Sequence, residues 1–270
     1  PVIYSFFQTI VDPGDKVVFP VPSWNNDYYC ELFNAQAVVV DTTPETNFFP
    51  TADSLRPLLK DCVLLSLCSP QNPTGTILEK QQLKEICDLV VEENRRRSAD
   101  DKPLYVMFDQ VYWLLTFGNS SFHHPLSVCP EIKPYAVFID GISKSFAGTG
   151  VRVGWATGPQ EIISKMRSFI AHIGAWAPKP EQLATAQFLA EKDSVKSFLD
   201  TFLGQLQSRL DGFYQGFMQL KSKGYDVDAI APQAAIYLSV RLGLKNRKTP
   251  AGEVLSSDEA VHQYLLNQVG

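Results

Sequence analysis

No two cysteines of the chain have the C-x-x-C spacing, and none stands at a metal-ligand spacing from a histidine. Cys30, Cys62, Cys68, Cys87 and Cys129 are an odd number without a framework. That excludes a disulfide scaffold and points to a reducing, cytoplasmic compartment. Several of them stand in apolar runs, where a thiol behaves as a small hydrophobe. No apolar run approaches the length needed to span a membrane, so no membrane partner is expected. Positive charge is not in excess: 24 Lys and Arg stand against 29 Asp and Glu, for a net charge of -5. That balance excludes a chain that works by neutralising the phosphates of nucleic acid. The one basic cluster, Arg95-Arg96-Arg97, is answered by Asp100 and Asp101 and reads as a solvated helix end. No basic stretch followed by an apolar one opens the chain, so no signal peptide is expected. Internal repeats and low-complexity segments are also missing.

What is present is ordinary for a globular enzyme: 270 residues, 45% hydrophobic and 20% charged, enough for one large domain or two smaller ones. Both ends read as cut. Residues 1–11 begin inside an amphipathic pattern and Gly270 follows a helical pattern directly, so a piece of a longer protein is expected.

Short apolar runs rich in β-branched residues recur at 16–19, 37–40, 63–67, 104–108 and 135–139. Each predicts a strand buried on both faces, as in a parallel sheet. Helical patterns at 26–34, 52–59 and 79–94 lie between them, and such alternation means an α/β fold with helices on both faces of a mostly parallel sheet. Beyond Pro159 the pattern predicts helices over 161–173, 181–191 and 193–223, then a strand over 235–240 and a short helix over 258–268. The expected division is a large ligand-binding domain over 1–200 with its N-terminal portion missing. Residues 201–270 follow as a bridging helix and an incomplete, smaller α/β domain.

Ligands in such folds bind beyond the carboxyl ends of the strands. Trp24 follows the first strand, Asn72 the third, Asp109 and Tyr112 the fourth, and Lys144 the fifth; Arg152 comes eight residues later. Each alone has a bland reading. Trp24 could be core, Asn72 a turn residue before proline, Asp109 a helix cap, and Tyr112 a buried phenol. Lys144 could be a surface lysine, and Arg152 could pair with a carboxylate. All six at one edge of one sheet suit a single ligand, pyridoxal 5'-phosphate. Its aldehyde needs an amine, which Lys144 offers. Its ring nitrogen stays protonated beside a buried carboxylate, for which Asp109 is placed. Its phenolate oxygen takes donors from Asn72 and Tyr112, and its flat face takes the Trp24 ring. Its phosphate suits the guanidinium fork of Arg152.

These segments resemble the class I/II aminotransferases, the aspartate-aminotransferase-like enzymes of fold type I. Ser69-Pro-Gln-Asn-Pro-Thr-Gly75 is similar to their Asn-Pro-Thr-Gly segment, Asp109-Gln-Val-Tyr112 to their Asp-x-x-Tyr pair, and Pro22-Ser-Trp24 to their stacking segment. Gly141-Ile-Ser-Lys-Ser-Phe to Gly150-Val-Arg-Val-Gly154 resembles their Schiff-base lysine and phosphate-binding arginine. The resemblance implies catalysis by Lys144 and cofactor binding by Trp24, Asn72, Asp109, Tyr112, Lys144 and Arg152. It also implies transfer of an amino group between an amino acid and a 2-oxo acid, and a homodimer. Another reaction on the same cofactor, a carbon–sulfur β-lyase or a decarboxylase, would use the same six residues. A cofactor-binding regulatory domain of a transcription factor is the alternative of another class.

The chain departs from the pattern in places. Gly148 replaces a larger apolar residue, so a looser loop after the lysine is expected. Gly141 stands where some members have a phosphate-binding serine, leaving Ser143 and Ser145 as nearby hydroxyls. Trp176 and Lys179 either shape the substrate pocket or face solvent. The resemblance places a phosphate-cradling loop before Pro1 and a carboxylate-binding arginine after residue 270; Arg241 follows its strand too closely to be that arginine.

Overall fold

A computed structural model of the chain describes residues 1–269. In chain order the first half contains α1 (Val2–Ile10), β1 (Lys16–Val21), α2 (Asn26–Leu32), β2 (Gln36–Asp41), α3 (Ala52–Leu55), β3 (Cys62–Cys68), α4 (Lys80–Arg96) and β4 (Tyr105–Asp109). There follow α5 (Pro125–Val128), β5 (Ala136–Gly141), β6 (Gly154–Thr157), α6 (Gln160–Ile173), α7 (Lys179–Ala190) and α8 (Lys192–Ser222). The last elements are β7 (Val227–Ala229), β8 (Val240–Leu242) and α9 (Asp258–Val269).

The main sheet has six strands in the order β2-β1-β3-β4-β5-β6. The first five are parallel and β6 runs antiparallel to β5. β1, β3, β4 and β5 read as unbroken apolar runs because successive side chains enter opposite layers. Val18, Leu65, Val106, Phe108, Ala136 and Phe138 pack with Leu83, Ile86 and Val90 of α4. Val17, Phe19, Leu64, Met107, Val137 and Ile139 pack on the other face with Phe6, Phe7 and Ile10 of α1 and with Met166 of α6. Phe6 and Phe7 are fully buried, and burying each such side chain is worth about 1.5–3 kcal/mol. The amphipathic pattern at the start of the chain is therefore α1, and its apolar stripe seals one face of the sheet.

Strand order reverses at β1, which has β2 on one side and β3 on the other. Such a switch point opens a crevice beyond the carboxyl ends of the strands. Register carries the neighbouring loops to the same edge, since Cys68 pairs with Asp109 and Asp109 with Ile139.

Five expectations change. The run at 37–40, expected to be buried on both faces, is the edge strand β2, most of whose residues are exposed because nothing among the described residues pairs with its outer side. The strand β6, Gly-Trp-Ala-Thr, was not expected, because it is short, opens on glycine and buries none of its residues fully. The strand expected over 235–240 forms only at Val240–Leu242, paired with β7. The N–H groups of Ala234 and Ala235 instead donate to Gly75 O and Leu115 O, so their donors are spent on loops rather than on a ladder. Arg97 is not solvated. Its side chain is 9% exposed, and it pairs with Glu93 and donates to the carbonyls of Leu59, Lys60, Cys62 and Lys102. Finally, the loop at Gly148 is tight: a Cβ there would lie 2.9 Å from Ile142 Cγ1, and Gly148 N donates to Ile142 O. Position 200 lies inside α8, which runs through it unbroken.

Candidate active site

Four strand ends supply the site. After β1, Pro22-Ser-Trp24 turns into α2 through Asn25, whose φ of 59° is left-handed. Two neighbours hold this turn. Gln71 Nε2 donates to Pro22 O at 2.8 Å, and Asn26 Nδ2 donates to Ser23 Oγ while its Oδ1 accepts from buried Ser66 at 2.8 Å. Trp24 is thereby fixed at the rim, with half of its surface exposed.

After β3, the loop carrying Asn72 closes on itself. Gly75 N donates to Gln71 O and Gln71 N to Thr76 O, both at 2.9 Å. Gly75 has a φ of 71°, and a Cβ there would lie 2.5 Å from Tyr237 O. Both facts demand glycine.

At the end of β4, Asp109 Oδ1 accepts from Val111 N at 3.1 Å. Burial first, and then the nearby Asp140 carboxylate, pushes the Asp109 carboxyl up to about 6, against the pull of the Val111 bond and the Lys144 charge. Asp140, whose oxygens accept from Trp113 Nε1 at 2.9 Å and Gly141 N at 2.7 Å, is likewise raised to about 6 by burial. Tyr112 is buried, and its hydroxyl shares a hydrogen bond of 2.6 Å with Tyr237 Oη. Burial raises the phenols of both tyrosines above their ordinary range.

After β5, Lys144 Nζ comes to 6.0 Å from the centroid of the Tyr112 ring. Ser145 Oγ donates to Val111 O at 3.0 Å, which ties the lysine loop to the loop after β4. Gly141 leaves no space for a serine, because a Cβ there would sit 3.0 Å from Val153 O and 3.1 Å from Gly154 Cα.

These loops enclose a cavity of about 180 Å³. Trp24, Asn72, Asp109, Tyr112 and Lys144 all line it, so five of the six expected residues meet in one place. Arg152 does not line it. It is exposed, with a φ of 62° and Nη1 donating to Thr149 O at 2.5 Å, and it lines a neighbouring cavity of about 470 Å³ with Pro1, Val2, Arg167 and Trp176. Adjacent residues of α1 line the two cavities, Ile3 the first and Val2 the second.

From residue 1 to residue 270 the chain matches the family model described as aminotransferase class I and II. The chain belongs to that family. An aspartate aminotransferase of Bacillus sp. (strain YM-2) is 28% identical over 242 residues, which cover 88% of this chain and 57% of the relative. An aspartate/prephenate aminotransferase of Thermus thermophilus is 29% identical over 238 residues, 87% of this chain and 57% of its own. Among solved structures, Thermus thermophilus aspartate aminotransferase with maleate superposes with a TM-score of 0.77 at 28% identity, covering 87% of this chain and 58% of that one. The aspartate aminotransferase of Rhizobium meliloti gives a TM-score of 0.85 at 22% identity, with 99% and 64% covered, and so shows the shared fold. The chain spans about 57–64% of the length of these relatives.

The class I and II aminotransferase chain also has site residues that the sequence reading missed. Tyr237 lines the cavity and meets Tyr112, but its apolar surroundings read as the interior of a distant strand. Gln71 and the Asn26–Ser66 pair also line the cavity and were not singled out, because their bonds join residues 40 and 49 apart in the chain. Cys68 lines the cavity as well; burial raises its thiol well above the ordinary range, with Asp109 adding to the effect. Among the described residues no helix is long and apolar enough to cross a membrane, no acidic or thiol cluster could hold a metal, and all five cysteines are free.

Proposed function

We propose that the chain is the cofactor-binding part of an enzyme that moves an amino group between an amino acid and a 2-oxo acid, using pyridoxal 5'-phosphate held on Lys144. One observation carries this reading. The amine of Lys144 and the carboxylate of Asp109 line one cavity together with an indole, an amide and a phenol, and neither charge has an ion-pair partner among the described residues.

The donor set fits the cofactor. When bound, pyridoxal phosphate supplies an aldehyde that condenses with amines and a ring that draws electrons from the adjacent carbon. Asp109, with one backbone donor and a destabilised charge, would hold the ring nitrogen protonated. Asn72 and Tyr112 would donate to the ring's phenol oxygen, and Trp24 would cover one face and exclude water. Arg152, which lines the neighbouring cavity beside α1, would take the phosphate. Lys144 Nζ is the group that takes the proton from the substrate α-carbon and returns one on the far side of the transfer.

The division into a large unit over 1–200 and a second unit over 201–270 belongs to the same proposal. So does a cytoplasmic setting, which the free cysteines support. A second copy of the chain is the proposed partner, supported by the exposed Ile173, Trp176 and Leu183. The names of the relatives make aspartate the first donor to try. The test is an absorbance spectrum with added pyridoxal phosphate, followed by product analysis with a panel of amino acids and 2-oxoglutarate. A lysine-dependent visible band with glutamate formed is expected. Loss of carbon dioxide or of a thiol as the sole product would assign another reaction on the same cofactor, and absence of the band would overturn cofactor binding.

A further inference from the structure

The hydroxyl oxygens of Tyr112 and Tyr237 lie 2.6 Å apart, and among the described residues neither has another hydrogen-bond partner. A phenolic hydrogen stays near the plane of its ring, so it has two favoured directions. If Tyr112 gives its hydrogen to Tyr237, it presents only a lone pair elsewhere. If it accepts from Tyr237, its own hydrogen must point the other way. We propose that Tyr237 is a positioning residue for Tyr112, donating to Tyr112 Oη and so aiming the Tyr112 hydrogen at an anionic ring oxygen in the cavity. This rests on the function proposed above.

The placement of Tyr237 is built rather than incidental. Ala234 N donates to Gly75 O at 3.0 Å, Ala235 N to Leu115 O at 2.8 Å, and Ser239 Oγ to Thr74 O at 2.8 Å. These bonds end on the loop that carries Asn72 and on the turn just after Tyr112. The absence of a side chain at Gly75 lets the Tyr237 backbone approach that loop. The two rings pack edge to face, with centroids 5.6 Å apart and an interplanar angle of 67°. A segment that follows α8 is thus tied by hydrogen bonds to the loops of the two groups proposed to read the ring oxygen, and it brings a hydroxyl to the one group among them that can turn its proton away.

The test compares the wild type with Tyr237→Phe, Tyr112→Phe and the double variant, by titrating each with pyridoxal phosphate and with its 3-deoxy analogue, which lacks the ring oxygen. Phenylalanine keeps the ring packing. Tyr237→Phe should weaken the parent cofactor about 3- to 10-fold, the worth of one weakened hydrogen bond, and leave the analogue unchanged. It should also raise the pH midpoint of the bound-cofactor spectrum by about 0.5–1 unit, since a less stabilised ring anion holds its neighbouring proton more tightly. Added to Tyr112→Phe it should do nothing further. Equal weakening of both ligands, or additive losses in the double variant, would make Tyr237 merely structural and overturn the proposal. Loss in Tyr112→Phe alone would also overturn it, while the function reading survives. Failure of the wild type to bind either ligand would sink that reading and this proposal with it.

Discussion

The two ends of the same sheet treat the same kinds of residue in opposite ways. At the amino edge, where β1 begins, Lys16 pairs with Asp61 at 3.3 Å, Lys102 meets both Asp12 and Asp15, and Arg97 satisfies four carbonyls and Glu93. At the carboxyl edge, Asp109 and Asp140 are held near each other with raised carboxyls, and Lys144 stands in the same cavity without an ion pair. Charges at the first edge are paired or wet and serve the fold. The carboxylates at the second are desolvated and have no ion-pair partner among the described residues, which costs stability, and such arrangements cluster where chemistry is done. The contrast teaches that the ends of strands, not their composition, separate structural from functional charge.

The comparison can be broken most forcefully at Lys144. In pyridoxal-phosphate-loaded protein, Lys144→Ala should abolish the visible band and lower amino transfer by at least about 10³-fold, measured with an amino donor and 2-oxoglutarate. Near wild-type turnover would place the chemistry elsewhere.

At the amino edge the largest effect belongs to Arg97. Arg97→Ala leaves the part-buried carbonyls of Leu59 and Cys62 and the largely buried Glu93 without their donor, so a loss of about 3 kcal/mol in urea unfolding is expected, with cofactor affinity unchanged. A loss below about 1 kcal/mol would return the residue to the solvated role read from the sequence.

Asp109→Asn sharpens the contrast because stability and activity should move in opposite directions. The Asp109 carboxyl is raised from 3.8 to about 6 in the fold. The folded state therefore binds its proton more tightly than the unfolded chain does. The resulting stabilisation is complete below pH 3.8 and is lost as pH rises through about 6. At pH 7 the charged, desolvated group destabilises the cofactor-free protein, so Asp109→Asn should gain about 2 kcal/mol there and flatten the slope between pH 4.5 and 7. The same variant should lose most amino transfer. Urea midpoints at the two pH values decide the matter; an unchanged slope would mean that Asp109 carries no such cost.

The smallest effect is expected at Lys16. Lys16→Ala removes an exposed pair, worth less than about 1 kcal/mol, and should leave cofactor titration untouched.

The parts of the molecule legible in the sequence are those where one local pattern decides the outcome. Four of the five parallel strands, β1, β3, β4 and β5, announce themselves because both of their faces are largely buried, and each is followed within a few residues by a side chain of the cavity; β2 is an exposed edge strand and supplies none. Trp24, Asn72, Asp109, Tyr112 and Lys144 could therefore be named without the fold. What escaped depends on partners distant in sequence. β6 is a strand only because β5 is beside it. Arg97 finds three of its four carbonyls across 35 to 38 residues, and Tyr237 reaches Tyr112 across 125. Arg152, expected in the same cavity, lines the neighbouring one instead; its backbone is left-handed and its Nη1 donates to Thr149 O. Gly148 was read as looseness, yet the missing side chain is what lets the lysine loop close on Ile142.

The most direct measurement of the central claim is borohydride reduction of the protein with pyridoxal phosphate, followed by peptide mass mapping of the trapped label. The account predicts a stoichiometric pyridoxyl adduct on Lys144, absent from Lys144→Ala. A label scattered over surface lysines, or concentrated on a different one, would contradict it.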